Sequence, residues 1–255
     1  MAHKAKSVLF LGEGDLSGPA RYLAAILQWS GFSFDHVPDQ SAIPTTWFTR
    51  RYNLFILSDY RHSCFSSKAE QWLCEQVEAG SGLLMVGGWA SFTGLVGHYS
   101  QSRIEGLLPV TCIPGDDRVN WASGSVMKRV KRGEKGEQMI SPPIVCGYHN
   151  AQIKPESQVL WELQDLSFKA SKPYLGKPHP LLVMGQAGLG KTAAFLTDCA
   201  PHWAGGLVDW GPRRIQIKIP KHGIVEVGDQ YLQFFKMLIN HLILPAKKIV
   251  VKKQS

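Results

Sequence analysis

The sequence predicts an α/β protein: a doubly wound, mostly parallel sheet with an added antiparallel hairpin region in the C-terminal half. Three observations lead there. Runs at residues 7–11, 53–57 and 83–86 are apolar and strand-sized. Segments of helical periodicity separate them, so parallel strands joined by crossover helices are the natural arrangement. From residue 158 the pattern changes to successive strands, with a glycine-rich turn between the runs 181–184 and 193–197.

The first run ends in Gly12-Glu13-Gly14-Asp15. Residues 19–29 carry Tyr22, Leu23, Ile26 and Leu27 on one helical face, and Gly31 stands where a C-cap is expected. Residues 32–37 alternate as a strand, and 53–57 form the next. Ser66 or Ser67 then caps a helix with Ala69, Trp72, Leu73 and Val77 on one face, closed by Gly80 and Gly82. Residues 83–86 make a fourth strand. Between Trp89 and Asn150 glycine, proline and polar residues dominate, and Pro109, Pro114, Pro142 and Pro143 break any long element. A stretch that long predicts site loops with short strands. Strands are expected at 159–163, 181–184, 193–197 and 215–219. The last helix is expected at 231–244, with Leu232, Phe235, Leu238, Ile239 and Leu242 inward and Pro245 ending it. One domain over residues 1–245 with a basic tail at 246–255 is the expected organisation.

The 255 residues suffice for a full core, and 44% hydrophobic with 19% charged residues excludes a disordered chain. No apolar run approaches a membrane span, and the N-terminal stretch is too short for a signal-peptide core, so a cytoplasmic location is expected, with no membrane partner. Five scattered cysteines form no CxxC pair, which predicts reduced, mostly buried thiols and neither a disulfide framework nor a zinc site. The net charge of +8 is concentrated in two places. Lys128, Arg129, Lys131, Arg132 and Lys135 outnumber Glu134 and Glu137, and the tail adds Lys247, Lys248, Lys252 and Lys253. With no nucleic-acid-binding pattern beside them, these read as a loop and a frayed terminus, and no nucleic-acid partner is expected.

Gly185-Gln-Ala-Gly-Leu-Gly-Lys-Thr192 matches the phosphate-binding GxxxxGK[ST] pattern. That mechanism needs a helix starting at the lysine, whereas Pro201 cuts the following stretch off within ten residues. Too little chain remains for a nucleotide-hydrolase core. The alternative is a hairpin, with 181–184 and 191–197 antiparallel about a glycine turn.

The polar segments appear in a definite order: Gly87-Gly-Trp-Ala-Ser-Phe-Thr-Gly94, Gly97-His-Tyr99, Leu108-Pro-Val110, Asp116-Asp-Arg118, Gly147-Tyr-His-Asn150, His179-Pro-Leu-Leu-Val183, Asp198-Cys-Ala-Pro-His-Trp203 and Val208-Asp-Trp210. That series resembles the glutamine amidotransferase-like family of bacterial cytoplasmic proteins, within the class I amidotransferase superfamily, over nearly the whole chain. The resemblance implies a flavodoxin-like sheet. Enzymes of the class carry a nucleophilic cysteine on a sharp turn between a buried strand and a helix. Here the fourth strand runs into Gly87-Gly88-Trp89, so Trp89 stands where the thiol would be. An indole offers no nucleophile, and glutaminase chemistry is not expected. Cys64, after the third strand, is the one cysteine kept as a nucleophile candidate.

Ligands of such sheets bind at the carboxyl ends of the strands. Groups expected to converge there are Glu13 and Asp15, Asp59 and Arg61, Trp89 and Ser91, joined from later loops by Asp116, Asp117, Arg118, His149, Asn150, Asp198 and His202. Asp117, His149 and His202 are the candidates for acid–base chemistry. Trp89, Ser91, Asp116, Arg118, Asn150, Asp198 and Trp203 are those for ligand binding. No dense metal-ligand spacing exists, so metal and cofactor stay unassigned. The leading reading is a small-molecule-binding or accessory protein that is not a glutaminase. The alternatives are a hydrolase or lyase using the Asp and His residues, and an assembly role in a homo-oligomer.

Overall fold

The structure is a computed structural model and describes residues 7–130 and 141–244. In chain order the elements are β1 (Ser7–Gly12), α1 (Ala20–Trp29), β2 (Ser33–Val37), β3 (Leu54–Ser58), α2 (Ser67–Glu78), β4 (Gly82–Val86) and the short α3 (Arg103–Leu107). Then come β5 (Val110–Cys112), β6 (Arg118–Arg129), β7 (Ile144–His149), β8 (Ala151–Ile153), β9 (Gln158–Lys169), β10 (Lys172–Ala187) and β11 (Gly190–Phe195). The chain continues through α4 (Pro201–Val208), β12 (Arg214–Ile219), β13 (Gly223–Gly228) and α5 (Asp229–Ile243).

A nine-stranded sheet runs in the order β2-β1-β3-β4-β11-β10-β9-β6-β7. The strands from β2 to β11 pair in parallel, and the remainder continue antiparallel. Two further pairs, β5 with β8 and β12 with β13, are antiparallel and separate from it. Mixed α/β architecture with a large sheet and antiparallel hairpins is therefore present, as the patterning predicts.

Alternate residues of β1 feed two cores. Val8 and Phe10 pack with α1 and α5, whereas Leu9 and Leu11 pack with α2. The period-two alternation of a strand puts them on opposite faces, and each large apolar side chain so buried contributes about 1.5–3 kcal/mol. Ser66, not Ser67, caps α2, its side chain accepting from the Ala69 N–H at 3.2 Å. Gly31 and Gly80 follow their helices with positive φ, the αL position that ends a helix at least cost in glycine.

The glycine-rich 185–192 segment is a hairpin. Gly185 pairs with Thr192 and Ala187 with Gly190, so no helix N-terminus faces a phosphate. Gly188 and Gly190 lie so close to the α2 carbonyls of Glu78 and Val77 that a Cβ at either would clash. The glycines thus serve close packing.

Several sequence expectations need correction. The 89–150 segment does hold short strands, but β6 is twelve residues long and joins the main sheet with β7. Its alternation of exposed and buried residues is broken by a register shift between Asn120 and Ser125, which hides the period in the sequence. The strands expected at 159–163 and 181–184 extend into arms of twelve and sixteen residues. Helix α4, with Pro201 at its first turn, and strand β13 were not anticipated. Residues 131–137 and the basic tail fall outside the described residues. Among the described residues, no helix is long and apolar enough to cross a membrane.

Candidate functional site

Register decides which side chains meet. Gly12 pairs with Ser58, Ser58 with Val86 and Val86 with Phe195, so four adjacent parallel strands end in one row. The residues directly after β1 and β3 are Glu13 and Asp59, and both adopt positive φ, 63° and 51°. Non-glycine residues rarely do so, and in each case the backbone turns off the sheet at its carboxyl edge. Gly12 and Gly88 allow the approach: a Cβ on Gly12 would strike the Ser58 carbonyl, and one on Gly88 would strike the Asp59 carboxylate. Asp198 arrives just beyond the end of β11.

These carboxyls line a cavity of about 620 Å³ together with Gly18, Pro19, Arg21 and Tyr22 from the start of α1, Trp89 after β4, and Ala200, Pro201 and His202 at the start of α4. Each acid is braced. Ser58 Oγ donates to Glu13 Oε1 at 2.6 Å, the Ala90 N–H donates to Asp59 Oδ1 at 2.6 Å, and the Ala200 N–H donates to Asp198 Oδ1 at 2.8 Å. Ser91 is buried and accepts the Asp59 N–H through Oγ at 3.0 Å, so it supports the site from behind.

Among the described residues no basic side chain forms an ion pair with any of the three acids, and burial shapes their ionisation. Burial, then repulsion from Asp198 and Asp59, holds the Glu13 carboxyl well above its usual range. Burial raises Asp59 to about 6 despite the Ala90 N–H. Burial, then the nearby Asp59, raises Asp198 to about 8. The edge of the sheet thus holds clustered carboxyls that favour their protonated forms.

Trp89 is half-exposed and forms one wall. Arg118 lies over its ring at 5.4 Å, and His202 meets it edge-on at 5.5 Å. Arg118 is in turn fixed by a fork to Asp116, at 2.8 and 2.7 Å. Asp116 and Arg118 therefore buttress the tryptophan from outside the cavity.

Asp117 and His149, proposed from sequence as acid–base residues, do not line this cavity. Both side chains are fully buried, with His149 Nδ1 and Asp117 Oδ1 2.8 Å apart. Asp117 also accepts the Thr93 and Gly94 N–H groups at 3.1 and 2.7 Å, while His149 Nε2 sits 2.8 Å from the Gly88 carbonyl. The pair thus ties down the turn that presents Trp89. Trp203 is buried too, its Nε1 donating to Asn120 at 2.9 Å, and Asn150 is exposed and away from the cavity lining. Of the sequence candidates, Glu13, Asp59, Trp89, Asp198 and His202 reach the cavity.

The lining also includes Arg21, which the sequence hid as ordinary helix surface, and Tyr22, which the periodicity placed on the apolar face. Position alone, in the first turn of the helix after β1, could have pointed to them.

The segment after β4 departs from the expected strand–turn–helix elbow. Turns fill it as far as α3, held by the Leu95 and Tyr99 N–H groups donating to Trp89 and Phe92 carbonyls at 2.9 Å each. Cys64 lies elsewhere, its thiol donating to the Asp39 carbonyl, with burial pushing its pKa up. Cys199 is fully buried behind the acids, 3.9 Å from Glu13 Oε1. Among the described residues no cysteine lines the cavity.

A mixed sheet whose parallel half carries a cavity at its carboxyl edge makes this an α/β protein. A family model described as "Putative glutamine amidotransferase" matches residues 17–214, and the chain belongs to that family. Two solved structures share the fold. The cytoplasmic protein STM1381 from Salmonella typhimurium LT2 is 24% identical, with TM-score 0.69 over 92% of this chain and 99% of its own. The cytoplasmic protein STM3548 from Salmonella typhimurium is 23% identical, with TM-score 0.68 over 94% of this chain and 99% of its own. No curated protein gives a significant match.

Proposed function

We propose that this protein is a small-molecule-binding member of the family that does not hydrolyse glutamine, and that its ligand occupies the cavity beside Trp89. Residues 1–245 are read as one domain, with β2-β1-β3-β4 wound in flavodoxin-like order. The observation that carries the function is the lining itself. Carboxyls, an arginine, a histidine and an aromatic wall converge on one concave site, and no thiol joins them. A thiol nucleophile must reach the substrate carbonyl as thiolate. Burial and the neighbouring Glu13 push the Cys199 thiol well above its ordinary range, the opposite of activation.

A thermal-shift screen of small metabolites tests this reading. At least one compound should raise the unfolding midpoint in the intact protein and fail to do so in Trp89→Ala. A profile without any shift sinks the proposal, as does glutamine hydrolysis that survives in Trp89→Ala and is lost in a cysteine variant.

A second reading, a hydrolase or lyase, is favoured by one observation: His202 shares the cavity with Asp59 and Asp198. Acid–base work would fall to those three residues and not to Asp117 and His149. Turnover lost in both Asp59→Asn and His202→Gln would support it; a ligand that binds and is recovered unchanged would count against it.

A further inference from the structure

The polar groups that face the cavity specify the class of ligand. Among the described residues the Arg21 side chain makes no hydrogen bond or ion pair; its guanidinium lies 5.3 Å from the Tyr22 ring, and its Nε is buried without a partner. His202 has aromatic neighbours but, among the described residues, no hydrogen-bonded side-chain partner. On the other side, Asp59 and Asp198 each use one oxygen to accept a backbone N–H, and Glu13 uses Oε1. Unused donors and unused acceptors therefore line the same space.

Charge narrows the choice. An anionic ligand finds only Arg21 to neutralise it, since Arg118 lies behind Trp89 and is already forked to Asp116, and a cationic one would share the cavity with Arg21. Neither charge is matched across the whole cavity. A hydroxyl group, by contrast, both donates and accepts, so adjacent hydroxyls can serve carboxyl oxygens and a guanidinium together. Buried polar groups left unpaired are costly, so a ligand that satisfies both sets gains most. The half-exposed Trp89 ring, with Tyr22, adds an apolar wall with polar tips, suited to a ring with a C–H face and a polar rim.

We propose that the ligand is a small uncharged polyol of the monosaccharide or cyclitol type, with hydroxyls on Glu13, Asp59, Asp198 and Arg21 and its C–H face against Trp89. This assignment rests on the ligand-binding reading above. It fits the ionisation of the site: Asp198, raised to about 8 by burial, is largely protonated at neutral pH and can donate to a hydroxyl as well as accept from one. An ammonium group would first have to drive that proton off.

The test is a thermal-shift titration in three arms: neutral monosaccharides and cyclitols, amino acids and primary amines, and nucleotides. A saturable rise in midpoint should occur in the polyol arm. Isothermal titration with the compound found should show affinity lost in Trp89→Ala and weakened about tenfold in Arg21→Gln, as expected for one lost charged hydrogen bond. Among the described residues the Arg21 side chain makes no hydrogen bond, and its backbone bond to the Gly18 carbonyl survives substitution, so Arg21→Gln should unfold at nearly the wild-type midpoint and separate binding from stability. Shifts confined to the amine or nucleotide arms overturn the polyol assignment and leave the pocket reading standing. Absence of any shift in all three arms overturns both. Polyol binding unaffected by both variants places the ligand elsewhere and refutes the assignment.

Discussion

Asp117 and His149 form a fully buried hydrogen-bonded pair, 2.8 Å apart, that holds the turn carrying Trp89 from beneath. The two residues come from opposite sides of the β6–β7 pairing: Arg118 pairs with His149 in register, and Asp117 precedes Arg118. The antiparallel extension of the sheet thereby anchors a loop that grows from its parallel half. Asp117→Asn should destabilise the fold by about 1–3 kcal/mol, because the carboxylate accepts from His149 and the Thr93 and Gly94 N–H groups, and the amide leaves one of these buried donors unsatisfied. Urea unfolding measures this. A loss below ~1 kcal/mol would show that the pair is not the anchor described.

The carboxyl cluster makes stability depend on pH with a definite sign. Asp198 has a folded pKa of about 8 against an ordinary value of 3.8, and Asp59 one of about 6. For a raised carboxyl the native state holds more protons than the unfolded state between the two values. The contribution of these two groups is then complete below about pH 4 and is lost as pH rises through the folded pKa. Asp198→Asn should therefore gain on the wild type as pH rises from 5 to about 8, with the two converging near pH 4. His36, lowered by burial, slopes the other way but is common to both proteins and cancels in the difference. Denaturant midpoints across that range provide the check, and a pH-independent difference would refute the account.

The parallel half of the sheet and α1, α2 and α5 were legible because their residues obey simple periods. The β6 and β7 strands were not, since β6 reads Arg-Val-Asn-Trp-Ala-Ser-Gly-Ser-Val-Met-Lys-Arg, with buried positions that shift phase midway. Within the site, the order of the strands pointed to the turns after β1, β3 and β4, and so to Glu13, Asp59 and Trp89, while Asp198 was expected from a later loop. Sequence could not show that Asp117 and His149 would bury each other, because the pairing depends on a register between β6 and β7 that no local pattern encodes. Nor could it rank Glu13 and Asp59 above Asp15 and Arg61. That ranking comes from two positive-φ residues set side by side at the ends of paired strands.

The hairpin between β10 and β11 predicts indifference to nucleotides. Lys191 Nζ donates to the His241 carbonyl at the exposed end of α5, 3.1 Å away, and faces no anion site. Lys191→Ala should change stability by no more than about 0.5 kcal/mol, the range of an ordinary surface substitution. Gly188→Val should cost far more, because the position has φ of 58° and a Cβ there would strike the α2 backbone at Glu78. Thermal melts with and without magnesium and ATP complete the test. A nucleotide-dependent shift abolished by Lys191→Ala would restore the phosphate-loop reading.

Thiol reactivity tests how the amidotransferase-like fold is used here. Cys146 is exposed on β7, Cys64 is partly buried, and Cys74, Cys112 and Cys199 are buried. Burial raises every thiol pKa in that buried group, Cys74 to about 12, so thiolate is scarce there at neutral pH. Maleimide labelling of the native protein, read by peptide mass spectrometry, should modify Cys146 first and Cys64 slowly. The three buried thiols should label only after denaturation. Cys199 is the informative position, because it lies directly behind Glu13 and Asp198. An alkylating glutamine mimic that modified Cys199 in the native protein would mean the acid cluster opens to admit substrate, and the non-glutaminase reading would fail. Protection of Cys199, together with labelling of Cys146, would leave the cavity beside Trp89 without a thiol in reach.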